Sequence, residues 1–358
     1  MRRAPTSTAV LAAALAGSCG RGLPTEQDAR RTLEPLGAHV TAAGWPARAQ
    51  AIRAGIRQGA RLEVFDPRAP LHPRTSGLRV RDHHSIETVV FESWPGFFVT
   101  GNLYRPTGAG PHPALLLPHG HFRASGYFAR TRPQIQAAAA TLAEMGVVVL
   151  AYDMVGWGDS RQIAHGERSV LALQLWNAIR AVDYLLTLDV DPQRIGVAGA
   201  SGGGSQALLL AAVDDRIAAA AILVMLSAAF PGGDGCENGM PVRAATGTNN
   251  AEIAATLAPR PLLIVSTGAD WTRTVPAVEY PYLRSVYALA GVRDRVENVH
   301  LDGEGHDDGP SKRQALYRFI ARVFGVPLRP EYQGLEPHGT LVAFPGAAPA
   351  PVALPAGL

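Results

Sequence analysis

Between about residues 78 and 326, short apolar or alternating runs take turns with longer stretches of helical period. The runs fall at Ser85–Glu92, Phe97–Tyr104, Ala114–Pro118, Val147–Tyr152, Ile195–Ala198, Ala219–Met225, Pro261–Ser266 and Val296–Leu301. Ser93-Trp94-Pro95-Gly96 is a turn between the first two, so they read as an antiparallel hairpin. The later runs are short, continuous and rich in β-branched residues, as strands buried on both faces are. Helices are expected between them at Pro133–Met145, Val170–Leu188, Gly204–Val213, Val278–Ala290 and Ser311–Phe324. Alternation of this kind predicts an α/β fold: a mostly parallel sheet of about eight strands, entered through an antiparallel hairpin and covered by helices on both faces.

Outside this stretch the pattern weakens. Residues 19–77 read as an N-terminal extension, rich in Arg, Pro, Gly and Ala, with one helix around Pro46–Gly59. The body is expected over 78–327, and residues 328–358 as an extended, partly disordered strap of Pro, Ala and Gly. Within the body, residues 227–256 interrupt the strand–helix rhythm and read as a lid or specificity insert. Residues 1–18 have the form of a signal peptide: Arg2 and Arg3, a short apolar run over Ala9–Gly17, then small residues. Two fates compete for this leader, cleavage after Ala16 or Ser18 and lipidation at Cys19. Either implies a secreted or periplasmic protein. The other cysteine is Cys236, so no intramolecular disulfide is expected once the leader is gone.

Composition narrows the classes. A chain of 358 residues, 47% hydrophobic and 18% charged, buries an enzyme-sized core. Net charge is +3 with no run of basic residues, which argues against a nucleic acid or an anionic membrane surface as partner. Lys312 is the only lysine and is expected on an exposed helical face, so lysine chemistry has little to work with.

Gly199-Ala200-Ser201-Gly202-Gly203 follows one buried strand and opens a helix. A serine held on so sharp a turn has its hydroxyl lifted above the sheet, and the next backbone N–H sits at a helix N-terminus. A serine hydroxyl is a weak nucleophile and needs a base, and that base needs an acid to orient it. With such an elbow the chain order is serine, acid, histidine. His306, in the glycine-containing loop after the last strand, is the expected base, and Asp270, at the carboxyl end of the preceding strand, the expected acid. Asp302, Asp307 and Asp308 read as solvated loop carboxylates, His300 as a strand residue, and Asp234 and Glu237 as less suitable acids.

Gly202 and His121 are the expected oxyanion donors, through their backbone N–H groups. His119-x-His121 could also supply two metal ligands, but Phe122-Arg123-Ala124 follows where a dinuclear site would add an Asp–His pair, so no metal is expected. Trp157 and Trp271 lie on loops at the carboxyl edge, where they either stack on a substrate ring or brace the site. Asp153 and Asp159 read as structural hydrogen-bonding residues.

Five motifs taken together resemble a known family: Pro118-His119-Gly120-His121, Tyr152-Asp153-x-x-Gly156-x-Gly158-x-Ser160, the serine elbow, Gly268-Ala269-Asp270-Trp271 and Gly305-His306. The chain is similar to bacterial α/β-hydrolases of the acetyl xylan esterase and dienelactone hydrolase-like group. The resemblance covers about residues 85–326. It implies a serine carboxylic-ester hydrolase that needs no cofactor and acts on a small-molecule or carbohydrate ester, often an acetyl ester. Peptide or lactone hydrolysis on the same fold, or a non-catalytic binding role, are the alternatives.

Overall fold

The computed structural model describes residues 22–124, 127–230, 235–238, 242–243, 245 and 247–358. The leader, Cys19 and the Pro231–Asp234 part of the insert lie outside the described residues. In chain order the helices are α1 (Glu26–Leu33), α2 (Trp45–Gly59), α3 (Pro133–Glu144), α4 (Val170–Leu185), α5 (Gly202–Val213), α6 (Gly235–Asn238), α7 (Asn250–Ala255), α8 (Glu279–Leu289) and α9 (Pro310–Phe324). The strands are β1 (Arg74–Val80), β2 (His84–Trp94), β3 (Phe97–Pro106), β4 (His112–Pro118), the two-residue pieces β5 (Arg123–Ala124) and β6 (Tyr127–Phe128), β7 (Val148–Tyr152), β8 (Val190–Ala200), β9 (Ile217–Leu223), β10 (Leu262–Thr267) and β11 (Val296–Leu301).

The main sheet runs β1-β2-β3-β7-β4-β8-β9-β10-β11. The first four strands pair antiparallel and the rest parallel. That is nine strands, one more than the eight expected. The extra one, β1, straddles the expected boundary between extension and body. Its sequence, Arg-Thr-Ser-Gly-Leu-Arg-Val, lies exposed along the sheet edge. A strand with neither face buried carries no alternation to read, and its charged residues blunt the open edge.

Successive residues of each central strand feed opposite layers. Ala114 and Leu116 pack with α2, α4, α5 and α8 on one face. Leu115 and Leu117 pack with α3 and α9 on the other. Helix α5 lies deepest, with every residue from Gly202 to Val213 buried. α1 was not anticipated. It starts with a capping box, in which Thr25 Oγ1 accepts from Asp28 N–H and the Asp28 carboxylate accepts from Thr25 N–H.

The tail is extended as expected, but it is fastened along its length rather than partly disordered. Buried Arg130 and Asn102 donate to the Leu341 carbonyl at 2.9 and 3.1 Å, and Gln162 donates to the Ala350 carbonyl at 3.1 Å. Leu341 itself is fully buried. Side chains fasten the tail as well: Glu331 accepts from Arg313 and Tyr317, and Glu336 accepts from Arg81.

Candidate active site

Strand β8 runs directly into α5, and Ser201 takes the corner at φ 54°, ψ −123°. A left-handed φ on a residue with a side chain is strained and persists only where the surroundings enforce it. A Cβ added at Gly199 would lie 2.3 Å from the Gly203 carbonyl carbon, and one at Gly203 would lie 2.2 Å from the Pro118 oxygen. Only glycine fits either position, so the spacing of the motif follows from steric closeness.

Three loops deliver side chains to this corner. His306 Nε2 lies 3.0 Å from Ser201 Oγ, and His306 Nδ1 lies 3.0 Å from Asp270 Oδ2. The other Asp270 oxygen accepts from the Thr272 N–H at 2.7 Å and the Thr272 hydroxyl at 2.5 Å. Asp270 is fully buried. Burial works against its charge, but the hydrogen bonds with His306 and from Thr272 outweigh it and hold the carboxyl below the usual carboxylate range. An ionised Asp270 accepts the Nδ1–H, which leaves Nε2 with a lone pair facing the serine.

Gly202 and His121 meet beside the serine: a Cβ at Gly202 would stand 2.6 Å from His121 Cε1. Glu237, set aside in the sequence as a less suitable acid, reaches Ser201 from the insert. The Ser201 hydroxyl donates to Glu237 Oε1 at 3.0 Å, and the same oxygen is 3.4 Å from His121 Nδ1. The serine proton therefore has two acceptors at equal distance, His306 and Glu237. Glu237 is buried, which disfavours its charge, yet contacts with His121 and Ser201 keep its carboxyl below the usual range. Its neighbour Cys236 and His165 from the β7–α4 loop also close on His121, at 3.0 and 2.9 Å from its Nε2. Sequence reasoning missed Glu237 and His165 because irregular loops have no period to follow. The one available clue was the interruption over 227–256.

The Trp271 ring lies 4.1 Å from the His306 ring, with Phe122 at 5.4 Å, so two aromatics flank the imidazole. Trp157 packs among His119, His121 and His165 at 5.5–6.0 Å. His119 turns away from His121: its Nε2 accepts from Met154 N–H at 3.1 Å and its Nδ1 lies 2.9 Å from the Gly120 carbonyl, so the His-x-His pair does not converge. His300 bonds Ser266 at 2.9 Å within the sheet. Asp308 is not a solvated carboxylate; it is buried against Arg132 at 2.7 Å. Lys312, expected exposed, is completely buried. The loop bearing His306 folds over the start of α9, and Lys312 Nζ donates to Glu304 at 2.8 Å and Asp307 at 2.7 Å on either side of the histidine.

A strained serine on an elbow above a mostly parallel sheet, facing a histidine backed by a buried acid, defines a serine hydrolase of the α/β-hydrolase class. The family model for X-Pro dipeptidyl-peptidase (S15 family) matches residues 96–277, half of the chain. A solved methylesterase, BT1017, is 37% identical, covers 92% of this chain and 78% of its own, and superposes with a TM-score of 0.80. The chain belongs to this S15-type family of α/β-hydrolases, and it is a carboxylic ester hydrolase. A family CE15 glucuronoyl esterase from Teredinibacter turnerae (18% identity, 79% and 85% coverage, TM-score 0.56) shares the fold. So does an acetyl xylan esterase from Paenibacillus sp. R4 (20%, 76% and 93%, 0.50). No curated protein sequence matches the chain. Among the described residues no helix is long and apolar enough to cross a membrane.

Proposed function

We propose that Ser201, His306 and Asp270 act as nucleophile, base and acid in the hydrolysis of methyl esters of carbohydrate acids. The observation that carries the triad is the unbroken chain of 3.0 Å contacts from Ser201 Oγ through His306 to Asp270. His306 Nε2 takes the serine proton as Oγ attacks the ester carbonyl. The N–H groups of Gly202 and His121 receive the oxyanion, each worth roughly 10²–10³ in turnover. His306 gives the proton to the departing methoxide, which leaves as methanol, then takes one from the water that attacks the acyl-enzyme and hands it to the Ser201 oxygen as the acid is released. Likeness to the methylesterase at 37% identity supports the methyl ester. Trp271, half-buried beside His306, with Phe230 at 5.4 Å, offers an aromatic wall for a sugar ring. Trp157 acts as a brace for His121 and His165. The charged-then-apolar start of the chain supports export, with or without a lipid at Cys19.

Acetyl ester cleavage is the second reading, supported by the motif resemblance. The two differ in which side of the ester is small. Purified protein is offered a methyl-esterified uronic acid oligosaccharide and acetylated xylan, and methanol and acetate are measured. Methanol release with little acetate is expected. Acetate alone transfers the assignment to acetyl esters, and turnover of neither by a protein that cleaves aryl esters removes the carbohydrate.

A further inference from the structure

We propose that His121, His165 and Cys236 form a zinc site that clips the insert to the body beside the catalytic serine. This inference stands on donor geometry and goes beyond the esterase reading. The three residues come from different loops: His121 from the loop after β4, His165 from the β7–α4 connection, Cys236 from α6. Their donor atoms all lie within 4.8 Å of one another, with His121 Nε2 at 2.9 Å from His165 Nε2 and 3.0 Å from Cys236 Sγ.

What separates this cluster from ordinary packing is the far side of each ring. His165 Nδ1 lies 2.6 Å from the Val155 carbonyl, which can only accept, so Nδ1 carries the proton and Nε2 presents a lone pair. His121 Nδ1 faces the Glu237 carboxylate at 3.4 Å, an electrostatic contact that favours the proton on Nδ1. Two Nε2 lone pairs 2.9 Å apart repel unless a positive centre lies between them. Cys236 brings a third electron-rich atom to the same point. An outer carboxylate or carbonyl on the Nδ1 of each ligating histidine is the usual support of a zinc site, and both are present. Zinc–nitrogen bonds of about 2.0–2.1 Å and zinc–sulfur of about 2.3 Å place tetrahedral donors roughly 3.3–3.6 Å apart, about half an ångström wider than the 2.9 and 3.0 Å separations here. Two imidazoles and a thiolate suit zinc and not magnesium or calcium.

Bound there, the cation ties α6 to two body loops and so fixes Glu237, the residue after Cys236, against Ser201. Its charge, passed through His121, offsets the Glu237 carboxylate next to the oxyanion position. Three protein ligands leave a fourth position for solvent. The competing account is a single proton shared between the two rings, with a thiol alongside.

The test uses full-length protein carrying Cys19→Ser, so that Cys236 is the one thiol, stripped of metal and titrated with Co²⁺ and then Zn²⁺. One equivalent of Co²⁺ is expected, with tetrahedral visible bands and a near-ultraviolet thiolate-to-cobalt band that Zn²⁺ abolishes. Adding Cys236→Ser removes the near-ultraviolet band, and His165→Gln lowers affinity at least tenfold. Fluorophosphonate labelling of Ser201 in both variants reports an intact fold and leaves the esterase assignment separate. As a measure that needs no ligand variant, Zn²⁺ slows alkylation of Cys236 at least tenfold. No stoichiometric Co²⁺ binding, unchanged binding in the two variants, or unprotected Cys236 each overturns the site in favour of the shared proton.

Discussion

Asp270 and Asp153 are two fully buried carboxylates following strands β10 and β7 of one sheet, yet their neighbours give them opposite uses. Asp153 is bound by the permanent cation of Arg130, by the Thr100 hydroxyl at 2.8 Å and by the Asp159 N–H at 3.0 Å. Arg130 spends its remaining donors on Asp159, Asn102 and the Leu341 carbonyl. This knot ties β3, the β7 loop and the tail together; burial pushes the Asp153 carboxyl above the usual range, and the Arg130 guanidinium pulls against that. Asp270 has hydrogen bonds from Thr272 on one oxygen and a histidine on the other. Its ring partner, His306, is a group able to accept and release a proton, and that ring touches Ser201. A buried acid paired with a permanent cation is suited to bracing, and one paired with an imidazole is suited to orienting a proton carrier.

The largest effect expected from breaking this contrast is at Asp270. Asp270→Asn keeps the shape but favours the wrong His306 tautomer, and kcat falls about 10⁴-fold, near 5.5 kcal/mol, with the melting temperature little changed. Ester turnover and a thermal melt on the same preparation check this. At the other carboxylate the effects exchange places. Arg130→Met strands Asp153 in the interior and costs about 3–5 kcal/mol of stability in a urea titration. Pairing it with Asp153→Asn restores part of that loss, and the esterase step survives wherever the protein folds.

His119 provides a pH test of the same comparison. Burial, with Arg132 and Arg130 nearby, pushes its imidazole down to about 3 despite the Gly120 carbonyl. The unfolded chain therefore takes up a proton near the ordinary histidine value while the folded one does not. The associated stability is present above that value and is lost as pH falls towards 3, at roughly 1.4 kcal/mol per unit. Unfolding free energies from pH 7 to 4.5 should show a shallower slope in His119→Gln than in the parent. Equal slopes would show that His119 is protonated in the folded protein.

The smallest effect concerns Glu237, which competes for the serine proton. Glu237→Gln removes the anion beside Ser201 while keeping a hydrogen-bond acceptor, and a change in kcat of less than about tenfold is expected. A loss approaching that of Asp270→Asn would make Glu237 a working acid of the site.

Much of this was legible in the chain because geometry forced the residue types. Gly199 and Gly203 have no room for a Cβ, buried strands must be apolar on both faces, and loops between them had to carry the acid and histidine. The rest had no such imprint. β1 is exposed on both faces, so its seven residues show no alternation. Lys312 sits on a helix whose pattern says outward, and only the fold of the His306 loop over it makes it buried. Glu237, His165 and Cys236 gather from irregular segments, where contact depends on chain path rather than on period. The tail's apolar residues, such as Leu341, Val352 and Leu354, are scattered among Pro, Ala and Gly without a period, so its docking leaves no pattern to read.

The account rests on Ser201 being the residue made nucleophilic by His306. The protein is treated with a fluorophosphonate and the adduct mapped by mass spectrometry. A single adduct on Ser201, lost in His306→Ala, is the predicted result. Unchanged ester turnover after complete modification of Ser201, or an adduct that forms as fast without the imidazole, would contradict it.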